Sequence, residues 1–221
     1  MTDDGPIRHS KAEEASLVTD PEEKARLEAK NALRQYERID EMVQTWLGTG
    51  RPFKLRPSMI LDLHRVALEG LTSYAGNWRP AGVSIGKSTH KPPGNHLVPE
   101  LIEGLCDYVN ENWDRNSACH LAAYVLWRLN WIHPFSDGNG RTARAVSYLV
   151  LSIKVGYRLP GAPTIPEQIM DNREPYYDAL EKADAADLNK AIDVSEVEEM
   201  LKAMLATQLL SVVKKATGKS A

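Results

Sequence analysis

Residues 117–132 carry almost no polar face: Leu121, Ala122, Ala123, Tyr124, Val125, Leu126, Trp127, Leu129, Trp131 and Ile132 occupy every side of the helix they predict. A helix that is apolar all round has to be enclosed by other elements. The stretch therefore predicts a central buried helix with further helices wrapped about it. It delivers the chain directly to His133-Pro134-Phe135-Ser136-Asp137-Gly138-Asn139-Gly140-Arg141-Thr142-Ala143-Arg144. A second apolar run follows, in which Val146, Leu149, Val150 and Ile153 recur at helical spacing. It predicts a helix beginning near Gly140 and closing at Gly156.

The residues between these helices suit work on a phosphate chain. Gly138 and Gly140 permit positive φ, so successive N–H groups can turn inward as an anion-binding nest. The nest would sit on a helix N-terminus, where free N–H groups and the dipole favour negative charge. At ~100° per residue Arg141 and Arg144 project away from the apolar face, and buried structure has no need of two arginines there. His133 has the residue type of a general base at neutral pH, with an ordinary pKa near ~6.5. Asp137 suits a divalent cation such as Mg²⁺, which takes only one or two protein carboxylates. It suits an Asx turn before Gly138 equally. Pro134 and Phe135 read as structural, the first ending a helix and the second anchoring the loop in the core.

The twelve residues 133–144 resemble, without a gap, the signature His-x-Phe-x-(Asp/Glu)-Gly-Asn-Gly-Arg-x-x-Arg of the Fic family. The resemblance implies an all-α Fic fold, a single helical domain with a small β-hairpin flap before the central helices. It implies a protein adenylyltransferase that moves AMP from ATP to a Ser, Thr or Tyr hydroxyl of a target protein. His133 would be the base and Asp137 would hold Mg²⁺. The nest of Gly138, Asn139 and Gly140, the Asn139 amide, Arg141 and Arg144 would bind the phosphates. Arg173, Tyr176 and Tyr177 resemble a family segment near the nucleoside base, although a tyrosine pair on an amphipathic helix also fits a core. The flap, about 83–90, would hold the target's backbone by strand addition through Val83, Ser84, Ile85, Gly86 and Lys87.

The rest of the chain reads in order around this centre. Residues 1–18 are polar and aperiodic, and a disordered segment is expected. Thr19, Pro21 and Glu22 predict a capped helix start, with Leu27, Ala32, Tyr36, Ile39, Val43 and Trp46 as its stripe. A second helix is expected over about 57–70. Val83-Ser84-Ile85 and residues 88–91 suit the two limbs of a short hairpin, with a plain turn-rich connecting loop as the alternative. Helices are expected from Pro99, from Asn172 through Leu180, and from Asp193. The domain is expected to span 19–213, with 214–221 as a loose basic tail.

Composition narrows the classes. A net charge of −3 gives no basic footprint for nucleic acid. No apolar run approaches membrane-spanning length, and Met1 is followed by acidic and polar residues rather than a signal sequence, so a cytoplasmic location is expected. Cys106 and Cys119 lie in apolar helical patterns and read as small buried hydrophobes. Trp127 and Trp131, where many relatives carry smaller or polar residues, read as packing. None of the six histidines shows metal-ligand spacing with another.

Many Fic proteins are restrained by a (Ser/Thr)-x-x-x-Glu-(Gly/Asn) helix whose glutamate pairs with the second motif arginine, here Arg144. Three near-matches exist, Ser10 with Glu14, Thr19 with Glu23 and Ser195 with Glu199, and none is followed by Gly or Asn. Glu22 and Glu198 make Thr19 and Ser195 candidate helix caps instead. A separate small antitoxin, or self-association, then stands as the expected regulator. The other functional readings are a different donor such as UTP, GTP or a phosphocholine carrier, removal of AMP from a modified protein, and an idle nucleotide-binding module.

Overall fold

The computed structural model describes residues 8, 10–11 and 17–218. Ser10–Lys11 form β1, Pro21–Thr49 α1, Pro57–Leu68 α2 and Ser84–Ile85 β2. Val98–Glu111 form α3, Ala118–Ile132 α4, Asn139–Val155 α5, Ile165–Asp171 α6, Glu174–Leu188 α7 and Ser195–Thr217 α8. The architecture is all-α, as the apolar patterning predicts.

α4 is the central helix. Leu121, Ala122, Ala123, Val125, Leu126 and Ile132 have no exposed surface, and α5, α8, α3 and α7 pack around them. α5 crosses closest, and the Ser147 hydroxyl donates to the Ala122 carbonyl at 2.9 Å in that contact. The small residues Ala122, Ala123, Ala143 and Ala145 let the two backbones approach, with Val146, Leu149 and Val150 filling the core beneath. Burying one such aliphatic side chain contributes about 1.5–3 kcal/mol. α4 starts at Ser117, whose hydroxyl accepts from the His120 N–H at 3.0 Å. α5 ends at Gly156, which takes φ 88° and returns its N–H to Ser152 and Ile153. Cys106 is buried and Cys119 half-buried, and burial pushes the Cys106 thiol up to about 12.

Four local expectations are corrected. α1 is capped by Asp20, whose carboxylate accepts from the N–H groups of Glu22 and Glu23 at 2.8 and 3.0 Å, rather than by Thr19. Ser195 is likewise not the cap of α8; its N–H donates to Asp193. The basic end is helical through Thr217, so Lys214 and Lys215 belong to α8 and not to a loose tail. The flap is not a hairpin. Its strand Ser84–Ile85 pairs antiparallel with Ser10–Lys11, Ser10 opposite Ile85 and Lys11 opposite Ser84. The return limb has other partners: the His90 N–H donates to the Ser88 hydroxyl at 3.2 Å, and the His90 ring bonds the Trp131 carbonyl at 2.8 Å. A segment tied to the end of α4 has no ladder to offer β2.

The expectation of disorder over 1–18 therefore fails where the chain is described. Besides β1, the Leu17 N–H donates to the Leu71 carbonyl at 3.3 Å, and Arg8 is held against α7. Residues 1–7, 9 and 12–16 lie outside the described residues, Glu14 of the Ser10/Glu14 near-match among them.

Candidate active site

The end of α4 fixes His133. The residue takes φ 52°, ψ 58°, the left-handed conformation that closes a helix, and Pro134 prevents its continuation. The turn directs the imidazole, 6% exposed, into a cleft of about 1270 Å³. Nδ1 faces the Asn130 carbonyl at 3.2 Å, so it carries the ring proton and leaves Nε2 with a free lone pair. At 2.8 Å from Nε2 lies the hydroxyl of Ser10. Burial lowers the His133 pKa from 6.5 to about 4, a larger effect than the opposing bond to Asn130. The ordinary imidazole value expected from the residue type is thereby corrected, and the ring is neutral at pH 7.

The motif loop is anchored through Phe135 and Asn139. Phe135 is fully buried and stacks on His64, with centroids 3.6 Å apart and rings 7° from parallel. Asn139 is 3% exposed. Its Oδ1 accepts from the Phe135 N–H at 2.9 Å and its Nδ2 donates to the Phe135 carbonyl at 2.8 Å. The second amide hydrogen faces Ser10 Oγ at 3.2 Å. Its amide, expected to meet phosphate, is thus engaged in holding the loop and addressing Ser10.

Gly138 takes φ 75° ahead of α5, and a Cβ there would collide with Leu68. Gly140 does not share the positive φ expected of it. It is the second residue of α5, and its bare Cα leaves room for the Arg144 guanidinium, whose Nη1 would lie 3.2 Å from a Cβ. The anion cradle is accordingly the helix N-terminus itself: the N–H groups of Asn139, Gly140 and Arg141 have no partner in a preceding turn, while that of Thr142 bonds the Gly138 carbonyl.

The two arginines differ. Arg141 pairs with Glu28 of α1 at 3.3 Å and with Asp137 at 3.4 Å. Arg144 is half-buried, and among the described residues it has no carboxylate partner; burial lowers its pKa. Desolvating a guanidinium beside Arg141 and Arg173 without an anion is unfavourable, and a phosphate would relieve it. The Asp137 side chain is 51% exposed, with Oδ1 accepting the Gly138 N–H at 2.6 Å and Oδ2 facing Arg141.

His133, Asp137, Gly138, Asn139, Gly140, Arg141, Arg144, Arg173, Tyr176 and Tyr177 all line the one cleft. Of the flap residues 83–87, Ile85 reaches its wall. Tyr176 is 2% exposed, its hydroxyl accepts from Asn130 at 2.8 Å, and burial pushes its pKa up to about 12. Trp127 and Trp131 do more than fill space. The Trp127 indole N–H donates to Asp184 at 2.8 Å, and Arg128 lies over the Trp131 ring.

Four contributors escape the motif. His64 accepts the Gly76 N–H at Nδ1 (2.9 Å) and donates from Nε2 to the Asp137 carbonyl (3.1 Å) while stacking on Phe135. Arg79, 3% exposed, donates to the carbonyls of His133, Ala81 and Pro93. Ser10 and Arg8 arrive from a segment expected to be disordered. A lone histidine on a helix face and an arginine in a loop carry no local signal of such roles.

The site thus joins a neutral, buried imidazole to a helix N-terminus and to an arginine that no carboxylate among the described residues neutralises, in an all-α frame. Residues 54–151 match the Fic/DOC family model. The chain is 34% identical over 133 residues to "Protein adenylyltransferase Fic" of Drosophila willistoni and 31% identical over 131 residues to "Protein adenylyltransferase fic-1" of Caenorhabditis elegans. Each match takes in 58% of this chain and 24% of the relative, so the chain spans about a quarter of those proteins' length. A Fic domain containing signaling protein from Bacteroides thetaiotaomicron superposes with a TM-score of 0.71 at 24% identity, over 92% of this chain and 76% of that one. A BepC protein from Bartonella tribocorum with bound AMPPNP superposes with a TM-score of 0.53 at 13% identity, over 85% and 88% of the two chains. The chain carries a Fic domain and has the Fic fold. No helix among the described residues is long and apolar enough to cross a membrane.

Proposed function

We propose that the chain transfers AMP from ATP to a protein hydroxyl. The observation that carries this reading is the neutral Nε2 of His133, bonded to a hydroxyl at 2.8 Å in the cleft that also holds the α5 N-terminus. That distance lies within the reach required of a general base. The curated relatives named as protein adenylyltransferases and the AMPPNP-bound neighbour support ATP as the donor.

His133 Nε2 takes the hydroxyl proton as the oxygen attacks the α-phosphorus, and pyrophosphate leaves. The Asn130 carbonyl holds Nδ1–H and stabilises the imidazolium that forms. The N–H groups opening α5, with Arg141 and Arg144, bind the phosphate oxygens and meet the charge that develops on them. Among the described residues Arg144 has no carboxylate partner, and a nucleotide phosphate would supply its anion. Asp137 fits magnesium: it is one half-exposed carboxylate on the cleft wall, and Mg²⁺ takes one or two carboxylates and completes its shell with phosphate oxygens and water. Bound there, Mg²⁺ would neutralise phosphate charge. Target proteins would pair with the flap edge at Ser84–Ile85 in place of β1.

The test uses ATP radiolabelled at the α-phosphorus, with Mg²⁺ and a cell lysate, comparing the wild type with His133→Ala. Protein-bound label that requires His133, with pyrophosphate released, is the expected result. Transfer of label from the γ-position instead, or no transfer from any position, overturns the proposal.

A further inference from the structure

Arg8 and the two residues of β1 enter the site in three ways at once. The β1 backbone adds an antiparallel strand to Ser84–Ile85, the edge a peptide would use. The Ser10 hydroxyl lies 2.8 Å from His133 Nε2 and 3.2 Å from Asn139 Nδ2. Asn139 donates to that oxygen, so its own hydrogen is left for Nε2. Arg8, two residues earlier in sequence, is seated against α7. Its guanidinium stacks over the Tyr177 ring at 4.3 Å and pairs with Glu181, and its main-chain N–H reaches the Tyr177 hydroxyl at 3.3 Å. A one-residue slip would turn Ser10 away from His133, and the Arg8 seat opposes that slip.

We infer that β1 is a substrate strand held in cis, with Ser10 Oγ as acceptor and Arg8, two residues before it, as the anchor that sets its register. The inference rests on the adenylyl-transfer reading. Nε2 removes the Oγ proton, an Oγ–phosphorus bond forms, the bond from the α-phosphorus to the bridging oxygen breaks, and pyrophosphate carries away the electron pair. The imidazolium then returns its proton to solvent. Tyr177, expected beside the nucleoside, serves the acceptor instead. With Glu181 it selects an arginine two residues before the hydroxyl, so other targets of the site are Arg-x-Ser segments in extended conformation.

The experiment incubates the full chain with ATP and Mg²⁺, follows intact mass, and maps the modified residue by peptide fragmentation. The wild type gains one AMP, located on Ser10, at a fractional rate independent of protein concentration. Ser10→Ala lowers the gain by roughly ten-fold or more, Ser10→Thr restores it, and Arg8→Ala slows it several-fold. A His133→Ala chain mixed with wild type stays unmodified at Ser10. AMP located only elsewhere, Ser10→Ala modified at the wild-type rate, or Ser10 of the His133→Ala chain modified by the wild type each overturns the inference. If the wild type labels lysate proteins through His133 but takes no AMP itself, the cis substrate strand falls and the transfer reading stands. If neither is labelled, both fall.

Discussion

Arg79 Nε donates to the main-chain carbonyl of His133 at 2.8 Å, and its two remaining nitrogens reach the carbonyls of Ala81 and Pro93 on either side of the flap. The Arg79 N–H also meets the Pro134 carbonyl at 2.9 Å. One buried guanidinium therefore couples the stem of the flap to the turn that aims the His133 imidazole. With His90, whose ring bonds the Trp131 carbonyl, it fixes the flap relative to the His133 ring.

Arg79→Ala removes three charged-donor bonds and leaves their carbonyls without that partner. A loss of about 3 kcal/mol or more in stability is expected, at roughly 1.5–3 kcal/mol per bond before relaxation. Arg79→Lys should recover little, because an ammonium cannot span the planar fork. Urea unfolding together with AMP transfer to a peptide checks both. A fully active Arg79→Ala chain would show that the coupling is dispensable.

The pH–rate profile should follow the lowered pKa of His133. Transfer is expected to stay level from pH 8 to about pH 5 and to fall as the ring protonates near pH 4. A midpoint near 6.5, the value of an exposed imidazole, would mean that the ring is hydrated when it reacts.

Stability should decline in acid through the same residue and through His64. Burial lowers both from 6.5 to about 4. Between those values the unfolded chain binds more protons than the folded one, so stability rises with pH across that window. The contribution is complete above about pH 6.5 and is lost towards pH 4, up to about 3 kcal/mol per histidine. Urea titrations at pH 7 and pH 5 on wild type and His64→Gln measure it. If both chains lose equal stability, His64 is not a source of the dependence.

The two motif glycines should part company on substitution. Gly138→Ala forces a side chain into φ 75° and against Leu68, at a cost of about 1–2 kcal/mol for the backbone alone. It should lower the melting temperature and abolish transfer. Gly140→Ala sits in a helix, where alanine is favoured by about 1 kcal/mol. It should leave the melting temperature level or higher while crowding Arg144 and weakening nucleotide binding. Calorimetric titration with a non-hydrolysable ATP analogue separates the two, and equal affinity of Gly140→Ala and wild type would count against Arg144 as a phosphate ligand. Arg144→Ala should weaken the same binding by about 1.5–3 kcal/mol.

The sequence by itself determined the frame. An all-apolar helix at 117–132 can only be central, periodicity places α5 behind it, and the residues 133–144 put imidazole, carboxylate, glycines and arginines at one junction because they are contiguous. Local spacing suffices for such a site. Gly140 keeps helical backbone because a glycine's permissiveness does not say whether it is used, and Asp20 takes the cap that Thr19 also offers. What the tertiary structure decided was everything that joins distant parts of the chain. His64 stacks on Phe135 from a distant helix, and Arg79 reaches His133 across 54 positions of sequence. β1 left its own polar segment to complete the flap. Two-residue strands have too little pattern to announce themselves, and their pairing is fixed by what the partner edge offers. The His133 pKa belongs to the same class, since desolvation depends on which elements cover the ring.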